Sequence, residues 1–354
     1  MTLSTSPGPV DGSDARCMLS TNDILDLGEI AGYLRNRLHG DKTYYGVNMN
    51  LNYTNICELR CPLCAYSSDG DDEKAFVLSL DDIEERVRNA VDSGIDEVHI
   101  VGGLNPDLKI DYFESMLRLI KSIKPDMHIV AFTAVEYDYF AKINGITVED
   151  VFRRFIDAGL GALPGGGAEI FSPKIREIIA PKKIKGGKWL DIMRTAHGMG
   201  LKTNATMLYN HMESVDDVAD HLLRIRELQD ETGGFKTFVP LRFHEENTQI
   251  ESKSKSATGY DDIRIYATSR IVLHNVPHLK ALWMYVGEKM AQVLQKFGVD
   301  DIGATYFNEK VVHAAGAGTP NYGSEPFLRR LVEDARMTPV RAAADYKALT
   351  IPTP

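Results

Sequence analysis

Short apolar runs alternate with amphipathic segments along most of this sequence. One amphipathic segment begins at Ser79, where Asp82 three residues later completes the pattern of a helix capping box. Apolar residues then recur at helical spacing from Leu80 to Val91, and Gly94 follows as a stop signal. The segment is therefore predicted to be a helix with one buried face.

The same alternation of β-rich run and amphipathic helix repeats down the chain. It predicts about eight strands, at Val47–Tyr53, Glu97–Val101, His128–Thr133, Gly161–Leu163, Lys202–Met207, Thr237–Leu241, Leu279–Tyr285 and Asp301–Thr305. It predicts further helices at Tyr112–Ile123, Thr147–Ala158, Lys188–Met199, Ser214–Asp230, Asp261–His274 and Gly287–Phe297. Repeated strand–helix units imply right-handed crossovers and a parallel sheet.

An α/β fold, specifically a (β/α)8 barrel of the TIM type, is the first prediction, because eight units and a length of 354 residues suit it. A partial six-strand barrel with a C-terminal extension is the second. A doubly wound sheet is the third, since no Gly-x-Gly-x-x-Gly follows the first strand. We expect residues 1–20 to be a disordered tail, residues 21–338 to form the barrel with N- and C-terminal helical extensions, and residues 339–354 to be a C-terminal tail.

Composition narrows the function classes. The net charge is −10 and no basic run is present, which argues against nucleic acid as a partner. No apolar run approaches the ~18–20 residues that cross a membrane, so no membrane role is expected. The polar N-terminus lacks the apolar centre of a signal peptide, and cysteines are few. Together these features predict a cytoplasmic protein.

Three of the four cysteines lie within eight residues, as Cys57-x3-Cys61-x2-Cys64, directly after the first predicted strand. Structural zinc and closed iron–sulfur clusters normally take four protein ligands. Three thiolates can hold a 4Fe–4S cluster and leave one iron open for chemistry. Zinc with a distant fourth ligand and a redox or disulfide pair remain alternatives, but no second Cys/His pair follows the triplet. The remaining cysteine, Cys17, is interpreted as a spare thiol.

Polar or glycine-rich segments follow the other predicted strands, at the barrel face where active sites form. They include Gly102-Gly103, Thr133–Glu136, Pro164–Glu169, Asn204–His211, Arg242–Thr248 and Thr305–Lys310. Paired glycines let backbone approach a ligand closely, although a Gly-Gly pair is more often a tight turn. Lys182-Lys183 is interpreted as a flexible basic loop. No nucleophile elbow and no phosphate-binding loop is visible in the sequence.

The cysteine spacing on the first β/α loop resembles that of the radical S-adenosylmethionine (radical SAM) superfamily. The other loops resemble aminodeoxyfutalosine synthases of menaquinone biosynthesis over roughly Leu38 to Ala335. The segments that carry this likeness are His99–Pro106, Ala131–Glu136, Pro164–Ile170, Thr203–Tyr209, Leu228–Gly234 and Glu309–Gly316. Sister families, the dehypoxanthine futalosine cyclases and the deazaflavin synthase subunits, share parts of the pattern.

This resemblance implies a transferase that uses a 4Fe–4S cluster on Cys57, Cys61 and Cys64 and consumes S-adenosylmethionine. The enzyme would add the 5′-deoxyadenosyl radical to 3-[(1-carboxyvinyl)oxy]benzoate and yield 6-amino-6-deoxyfutalosine. A generic electron donor, ferredoxin or flavodoxin, would supply the electron.

The resemblance also implies site residues. For S-adenosylmethionine we expect backbone near Leu63 at the adenine and backbone of Gly102 and Gly103 at the amino end. We expect Glu169 at the ribose hydroxyls and Arg176 at the methionine carboxylate.

For a substrate with two carboxylates we expect cationic donors, namely Arg242 and His244 with Lys310 in reserve. Glu136 and Asn204 are expected as further polar contacts at strand ends.

Overall fold

The computed structural model describes residues 10–252, 257–307, 309–347 and 349. The strands are β1 (Lys42–Gly46), β2 (Asn48–Leu51), β3 (Glu97–Ile100), β4 (His128–Ala131), β5 (Ala162–Leu163), β6 (Lys202–Tyr209), β7 (Phe235–Arg242), β8 (His278–Leu279), β9 (Asp301–Ala304) and β10 (Thr338–Arg341). The first seven helices are α1 (Gly12–Ser20), α2 (Ile24–His39), α3 (Leu80–Asp92), α4 (Ile110–Ile123), α5 (Ala134–Asn144), α6 (Val148–Asp157) and α7 (Pro173–Ile179). The remaining described helices are α8 (Gly186–Gly198), α9 (Val215–Thr232), α10 (Gly259–Val272), α11 (Trp283–Val286), α12 (Glu288–Leu294), α13 (Val311–Ala314) and α14 (Glu325–Asp334).

Strands β2 to β9 form the predicted eight-stranded parallel barrel. Strands β2 to β8 pair in sequence order in one parallel sheet. Strand β9 and the residues after it close the barrel through isolated bridges, because Lys280 pairs with Asp301 on one side and Met49 pairs with Phe307, beyond the end of β9, on the other. The Asn50 N–H donates to the Phe307 carbonyl at 2.8 Å across that second junction. The first prediction of the fold is confirmed, and the open alternatives are set aside.

The helices cover the barrel as the apolar spacing predicts. In α3, the capping box of Ser79 and Asp82 is present, and Ile83 and Val87 are fully buried. Helix α10 packs on α2, so the predicted N-terminal helical extension lies against the barrel's outer layer. Among the described helices, none combines the length and the apolar character that a membrane crossing requires.

The N-terminal boundary differs from the prediction. Residues 12–20 form α1, with a capping box between Asp11 and Asp14. Ala15 and Leu19 are buried, and the helix packs against α9 and α10. The prediction of a disordered tail is therefore wrong for these residues, because two apolar positions at helical spacing outweigh the polar composition. Residues 1–9 lie outside the described residues.

The C-terminal boundary at 338 is also wrong. Strand β10 pairs in parallel with β1, which itself pairs with β9, so a small second sheet forms beside the N-terminal end of the barrel. After β10, Tyr346 donates a hydrogen bond to Asp301 at 2.7 Å and stacks on His278 at 3.5 Å between ring centroids. Residues 338–347 therefore belong to the fold. Residues 348 and 350–354 lie outside the described residues.

Two element predictions need correction near the active face. The predicted strand Leu279–Tyr285 is only two residues long as β8, and Trp283 begins the short helix α11. Trp283 is buried and its indole N–H donates to the Ala304 carbonyl at 2.9 Å, so an apolar run suited both a strand and a buried helix. Thr133 and Glu136, expected in a loop, are the capping box of α5.

Candidate active site

Cys57, Cys61 and Cys64, called here the cysteine triplet, line one cavity at the C-terminal end of the barrel. This cysteine cavity has a volume of about 160 Å³. Residues that follow β3, β4 and β5, and the segment after α7, also line it; they include Gly102, Gly103, Thr133, Glu136, Gly167 and Lys183. The loops after β3, β4 and β5, which the sequence places on one face, therefore meet around the triplet.

Backbone hydrogen bonds fix the cysteine loop to its neighbours. The Cys57 N–H donates to the Ser68 carbonyl at 3.2 Å, and the Glu58 N–H donates to the Leu104 carbonyl at 3.1 Å. The buried Asn55 side chain donates to the Lys74 carbonyl at 2.9 Å. The loop is thus held from the β3 side and from within its own sequence.

The glycine pair after β3 is required by this close approach. A Cβ on Gly103 would lie 2.1 Å from the Ile56 carbonyl oxygen, and one on Gly102 would lie 2.6 Å from the Tyr53 ring. The Gly102 N–H donates to Glu136 Oε1 at 3.2 Å. Both glycines line the cysteine cavity, but their identity is explained by packing against protein, and the Gly102 donor is already used.

Glu136 ties three segments together beside the triplet. Its carboxylate accepts from the Tyr53 hydroxyl at 2.8 Å and from the Thr133 N–H at 2.6 Å, besides Gly102. Burial raises the pKa of Glu136 to about 7 despite these donors. Glu136, predicted as a polar contact, lines the cysteine cavity, and its carboxylate accepts all three of these hydrogen bonds from groups of the protein itself.

Leu63 lies beside the cysteine cavity. Its backbone N–H donates to the Ile179 carbonyl at 3.1 Å, so this donor is not free for a nucleobase. Leu63 is half-buried and packs on the core, and it is absent from the described lining of the cysteine cavity. The expected contact of adenine with backbone near Leu63 stays a prediction.

A second, central cavity runs through the barrel interior, with a volume of about 240 Å³. Asn52, Val101, Thr133 and Val311 line both cavities, so the two are contiguous. From that junction the central cavity extends to side chains near the N-terminal ends of the strands, which are Glu97, Lys236, Lys280, Asp301 and Tyr346. A ligand in the barrel can therefore lie next to the cysteine cavity.

Neutral polar groups line the middle of the central cavity. Asn204, an expected substrate contact, lies there with Asn50, Asn52 and His99. The Oδ1 atoms of the three asparagines are buried and have no hydrogen-bond partner among the described residues. Burial and the charges of Lys280 and Lys236 lower the pKa of His99 to about 4, so its imidazole is neutral. This wall offers hydrogen bonds without charge.

The three cationic groups expected at the substrate do not line the central cavity itself. Arg242 forms an ion pair with the buried Asp262 at 3.1 Å, and His244 Nε2 lies 3.0 Å from the Tyr285 carbonyl oxygen. Lys310 is exposed, with its Nζ 5.7 Å from the centre of the Phe76 ring. Arg242 and His244 line a neighbouring cavity that shares Met284 and Tyr285 with the central cavity. The substrate contacts of all three residues stay predictions.

Comparisons with known proteins agree with this geometry. The profile of the radical SAM superfamily matches residues 51–225, which include the triplet. The profile of the CofH/MqnC C-terminal region matches residues 232–354. Aminodeoxyfutalosine synthase of Thermus thermophilus is 37% identical over 96% of this chain and 92% of its own length.

The chain belongs to the radical SAM superfamily.

Other relatives of this radical SAM protein carry two different names. Aminodeoxyfutalosine synthase of Streptomyces coelicolor is 35% identical over 95% of this chain and 89% of its own length. A 5-amino-6-(D-ribitylamino)uracil–L-tyrosine 4-hydroxyphenyl transferase of Archaeoglobus fulgidus is also 35% identical, over 94% of this chain and 97% of its own length. The relatives therefore establish a radical SAM enzyme and leave its reaction divided between two chemistries.

Solved structures support the barrel. The crystal structure of methylornithine synthase has a TM-score of 0.74 and 15% identity, covering 94% of this chain and 95% of that chain. The hydrogenase maturase HydG from Carboxydothermus hydrogenoformans has a TM-score of 0.76 and 15% identity, covering 96% of this chain and 77% of that chain. At such identity the likeness concerns the fold alone.

Radical SAM enzymes use a 4Fe–4S cluster and S-adenosylmethionine, and the cysteine cavity fits the cluster. Among the described residues that line it, the triplet supplies three thiols, and no fourth cysteine and no histidine is present. Burial raises the pKa of the Cys61 thiol to about 11, which disfavours the thiolate. Bonding to iron stabilises the thiolate and offsets this effect. Cys17 is exposed on α1 and outside this lining, in keeping with a spare thiol.

An ion pair that the sequence did not suggest lies at the rim of the triplet in this radical SAM enzyme. Lys183 Nζ lies 2.6 Å from Glu169 Oε1, and Lys183 lines the cysteine cavity. Burial alone would lower the pKa of Lys183, but Glu169 and the nearby thiols raise it above its usual value. The interpretation of Lys182-Lys183 as a flexible basic loop is therefore wrong for Lys183, and Glu169 already has a cationic partner.

Arg176 has a structural role. Its guanidinium donates to the Gly167, Ala168, Ile170 and Ile184 carbonyls. These four acceptors occupy the donors of Nη1 and Nη2, and the expected ion pair with the methionine carboxylate stays a prediction. Arg176 fixes the backbone that presents Glu169.

Proposed function

We propose that this radical SAM enzyme is an aminodeoxyfutalosine synthase. The 5′-deoxyadenosyl radical adds to the enol-ether double bond of 3-[(1-carboxyvinyl)oxy]benzoate. The aryl group then migrates, and the enolpyruvyl carboxylate leaves as the CO2 radical anion, which carries away the unpaired electron. 6-Amino-6-deoxyfutalosine results, and S-adenosylmethionine is consumed.

One observation carries this proposal: the cysteine cavity is contiguous with a barrel interior that has lysines at its far end. A substrate with carboxylates at both ends needs a reactive end near the triplet and a cation at the other. The central cavity offers both, since Thr133 and Asn52 lie at the junction and Lys280 and Lys236 lie at the far end. The 37% identity to the Thermus thermophilus synthase over nearly the whole chain supports the same reaction.

The chain's own residues would hold and orient the reactants. The triplet binds the cluster, which when bound supplies the electron that cleaves S-adenosylmethionine. We propose that Lys183 and Glu169, at the rim of the cysteine cavity, contact polar groups of S-adenosylmethionine. Thr133 and Glu136 hold the start of α5 against the Gly102 loop and keep that wall of the cavity fixed.

The central cavity also protects a radical from unwanted hydrogen donors. Enclosure by the barrel excludes water from the reaction. Strand β10 and Tyr346 close the end away from the cysteines. We further propose that a ferredoxin or a flavodoxin is the electron donor, in keeping with the generic reductants of this chemistry.

The test is anaerobic reconstitution of the full chain, reduction with dithionite, and mass spectrometry of the products. With S-adenosylmethionine and 3-[(1-carboxyvinyl)oxy]benzoate, we expect the mass of 6-amino-6-deoxyfutalosine. Formation of 5′-deoxyadenosine without the adduct, at saturating enol ether, would contradict the proposal while leaving the radical SAM assignment intact.

A second candidate is the uracil–tyrosine transferase chemistry of the Archaeoglobus fulgidus relative. The observation that favours it is the neutral wall of Asn50, Asn52 and Asn204, since free amide oxygens suit a uracil ring and ribityl hydroxyls. The same reconstituted protein, given L-tyrosine and 5-amino-6-(D-ribitylamino)uracil, decides between the two. A covalent adduct of the uracil that carries the phenol of tyrosine would establish this candidate. Dehypoxanthine futalosine as substrate tests the third family member in the same way.

A further inference from the structure

The cations of the central cavity lie at the end away from the triplet. Among the described residues that line this cavity, the lysine and arginine side chains are Lys236 and Lys280. Lys236 is near the start of β7, and Lys280 follows β8 and bridges to Asp301 at the start of β9. Both therefore lie toward the N-terminal ends of the strands.

Lys236 is committed to the fold. Its ammonium donates to the Ala344 carbonyl at 2.6 Å, and so holds the segment after β10 against the barrel. The residue is 8% exposed. Burial lowers the pKa of Lys236 to about 8. The charge of Lys280 also lowers this pKa, and the charge of Glu97 opposes the shift. This lysine closes the end of the barrel.

Lys280 is placed differently. Its Nζ lies 3.2 Å from Asp301 Oδ2, and its side chain is 20% exposed where it borders the cavity. Asp301 has other donors already, because Tyr346 donates to it at 2.7 Å and the Gly303 N–H at 2.7 Å. An ammonium has three donors, so the contact with Asp301 leaves capacity for a second anion.

The positive potential of these lysines reaches the middle of the cavity. Burial is the main cause of the low pKa of His99, and the charges of Lys280 and Lys236 lower this pKa further. His99 pairs with Asn50 across β2 and β3, one layer closer to the triplet than Glu97. Glu97 and Asp301 are the carboxylates that border the same end, and burial raises the pKa of Glu97.

The length of the cavity suits a ligand with two separated charges. Asn48 and Asn52 line it on the same face of β2 and its extension, and Asn52 also lines the cysteine cavity. Four residues of strand span roughly 13 Å at about 3.3 Å per residue. An enol ether at the junction therefore leaves room for an aromatic ring and its carboxylate to extend toward Lys280.

We propose that Lys280 binds the ring carboxylate of the substrate and is the residue that selects a benzoate-type substrate. This inference rests on the proposed function, because it deepens the substrate assignment of the same cavity. Asn50 and Asn204 would border the ring without contributing charge. Lys280 would therefore be the residue that distinguishes a ligand with a ring carboxylate from one without it.

The experiment measures binding without turnover. The cluster-loaded, unreduced enzyme is saturated with S-adenosylmethionine, and calorimetry gives the Kd of two probes. The first is 3-[(1-carboxyvinyl)oxy]benzoate and the second is 2-phenoxyacrylate, which lacks the ring carboxylate. For wild type we expect the second probe to bind about 10- to 100-fold more weakly, the range for one charge-assisted contact.

The variants locate that difference. Lys280→Gln should weaken the first probe by about 10- to 100-fold and leave the second unchanged, so that the two probes become equal. Lys280→Arg keeps a cation and should preserve most of the discrimination. Lys289→Gln, at an exposed lysine on α12, is the matched control and should match wild type for both probes.

Two results would overturn the inference. If wild type binds both probes with equal Kd, no cation binds the ring carboxylate, whatever the variants show. Cluster absorbance and circular dichroism show whether the Lys280→Gln protein is folded. If the folded variant keeps the wild-type ratio of the two Kd values, another residue binds the ring carboxylate. The proposed function is judged separately, by whether dithionite then produces the adduct from the first probe.

Discussion

Replacing Glu136 with Gln should change how the stability of the protein depends on pH. Burial raises the pKa of Glu136 from 4.5 to about 7. A carboxyl whose folded pKa is raised contributes stability that is complete below its unfolded pKa and is lost as pH rises through the folded pKa. From these two values, wild type should lose about 2.5 kcal/mol of unfolding free energy between pH 5 and pH 8 through this one group.

The glutamine variant cannot titrate and should lack that slope. Its amide oxygen can still accept from Tyr53 and Gly102, but its NH2 would face the Thr133 N–H. That mismatch costs about 1–3 kcal/mol at every pH. The variant should therefore be less stable than wild type at pH 5 and about equal to it, or more stable, at pH 8.

Urea unfolding of the cluster-free protein at several pH values, followed by circular dichroism, measures both curves. Tyr53→Phe is the control that keeps the carboxyl and removes one donor, so its pH slope should persist. A stability difference between wild type and Glu136→Gln that stays constant from pH 5 to pH 8 would refute the reasoning.

Three further predictions follow from the site. Replacing any member of the cysteine triplet with Ala should abolish the cluster's visible absorbance and all turnover, whereas Cys17→Ala should change neither; an essential Cys17 would contradict the three-ligand site. Lys183→Met should cost about 3 kcal/mol of unfolding free energy, because it removes the ion-pair partner of the nearly buried Glu169 carboxylate. It should also weaken S-adenosylmethionine binding in calorimetry; Lys182→Met, at an exposed position, is the control. Arg242→Ala should cost about 3 kcal/mol in urea unfolding because Asp262 is fully buried. Because Arg242 is paired with Asp262, the Kd of the enol ether should stay unchanged; a weakened Kd would support the substrate contact that the sequence predicts.

The barrel was predictable because its signals are local. The capping box at Ser79 and the apolar spacing after it both lie within the sequence of one helix. Each strand–helix unit repeats signals of this kind. The T-x-x-E pattern of Thr133 and Glu136 was a further local signal, and it marks the start of α5. The triplet was predictable for a similar reason, since all three ligands lie in one short loop.

The roles of single charged residues were not predictable in this way. Arg176 looked available because its acceptors are backbone carbonyls, which leave no signal in the sequence. Arg242 looked available because its partner Asp262 lies in a segment that only the fold brings close. Lys183 was assigned to a loop because nothing adjacent in sequence reveals Glu169 as its partner. Lys280 lies in a run expected to be a plain strand, and only the closed barrel shows that it borders a cavity. A charged residue's role depends on what neutralises it, and that partner is usually distant in sequence.

Pairing between the two ends of the chain has a consequence for biosynthesis. Lys42 of β1 pairs with Thr338 of β10, and β1 also pairs with β9. During synthesis β1 emerges early and waits for partners until almost the entire chain has left the ribosome, the kind of non-local pairing that folds slowly. The end of the barrel away from the triplet therefore stays unclosed throughout that interval. Delivery of iron and sulfide to the nascent or newly released chain, before the far end of the barrel closes, would therefore meet an open protein.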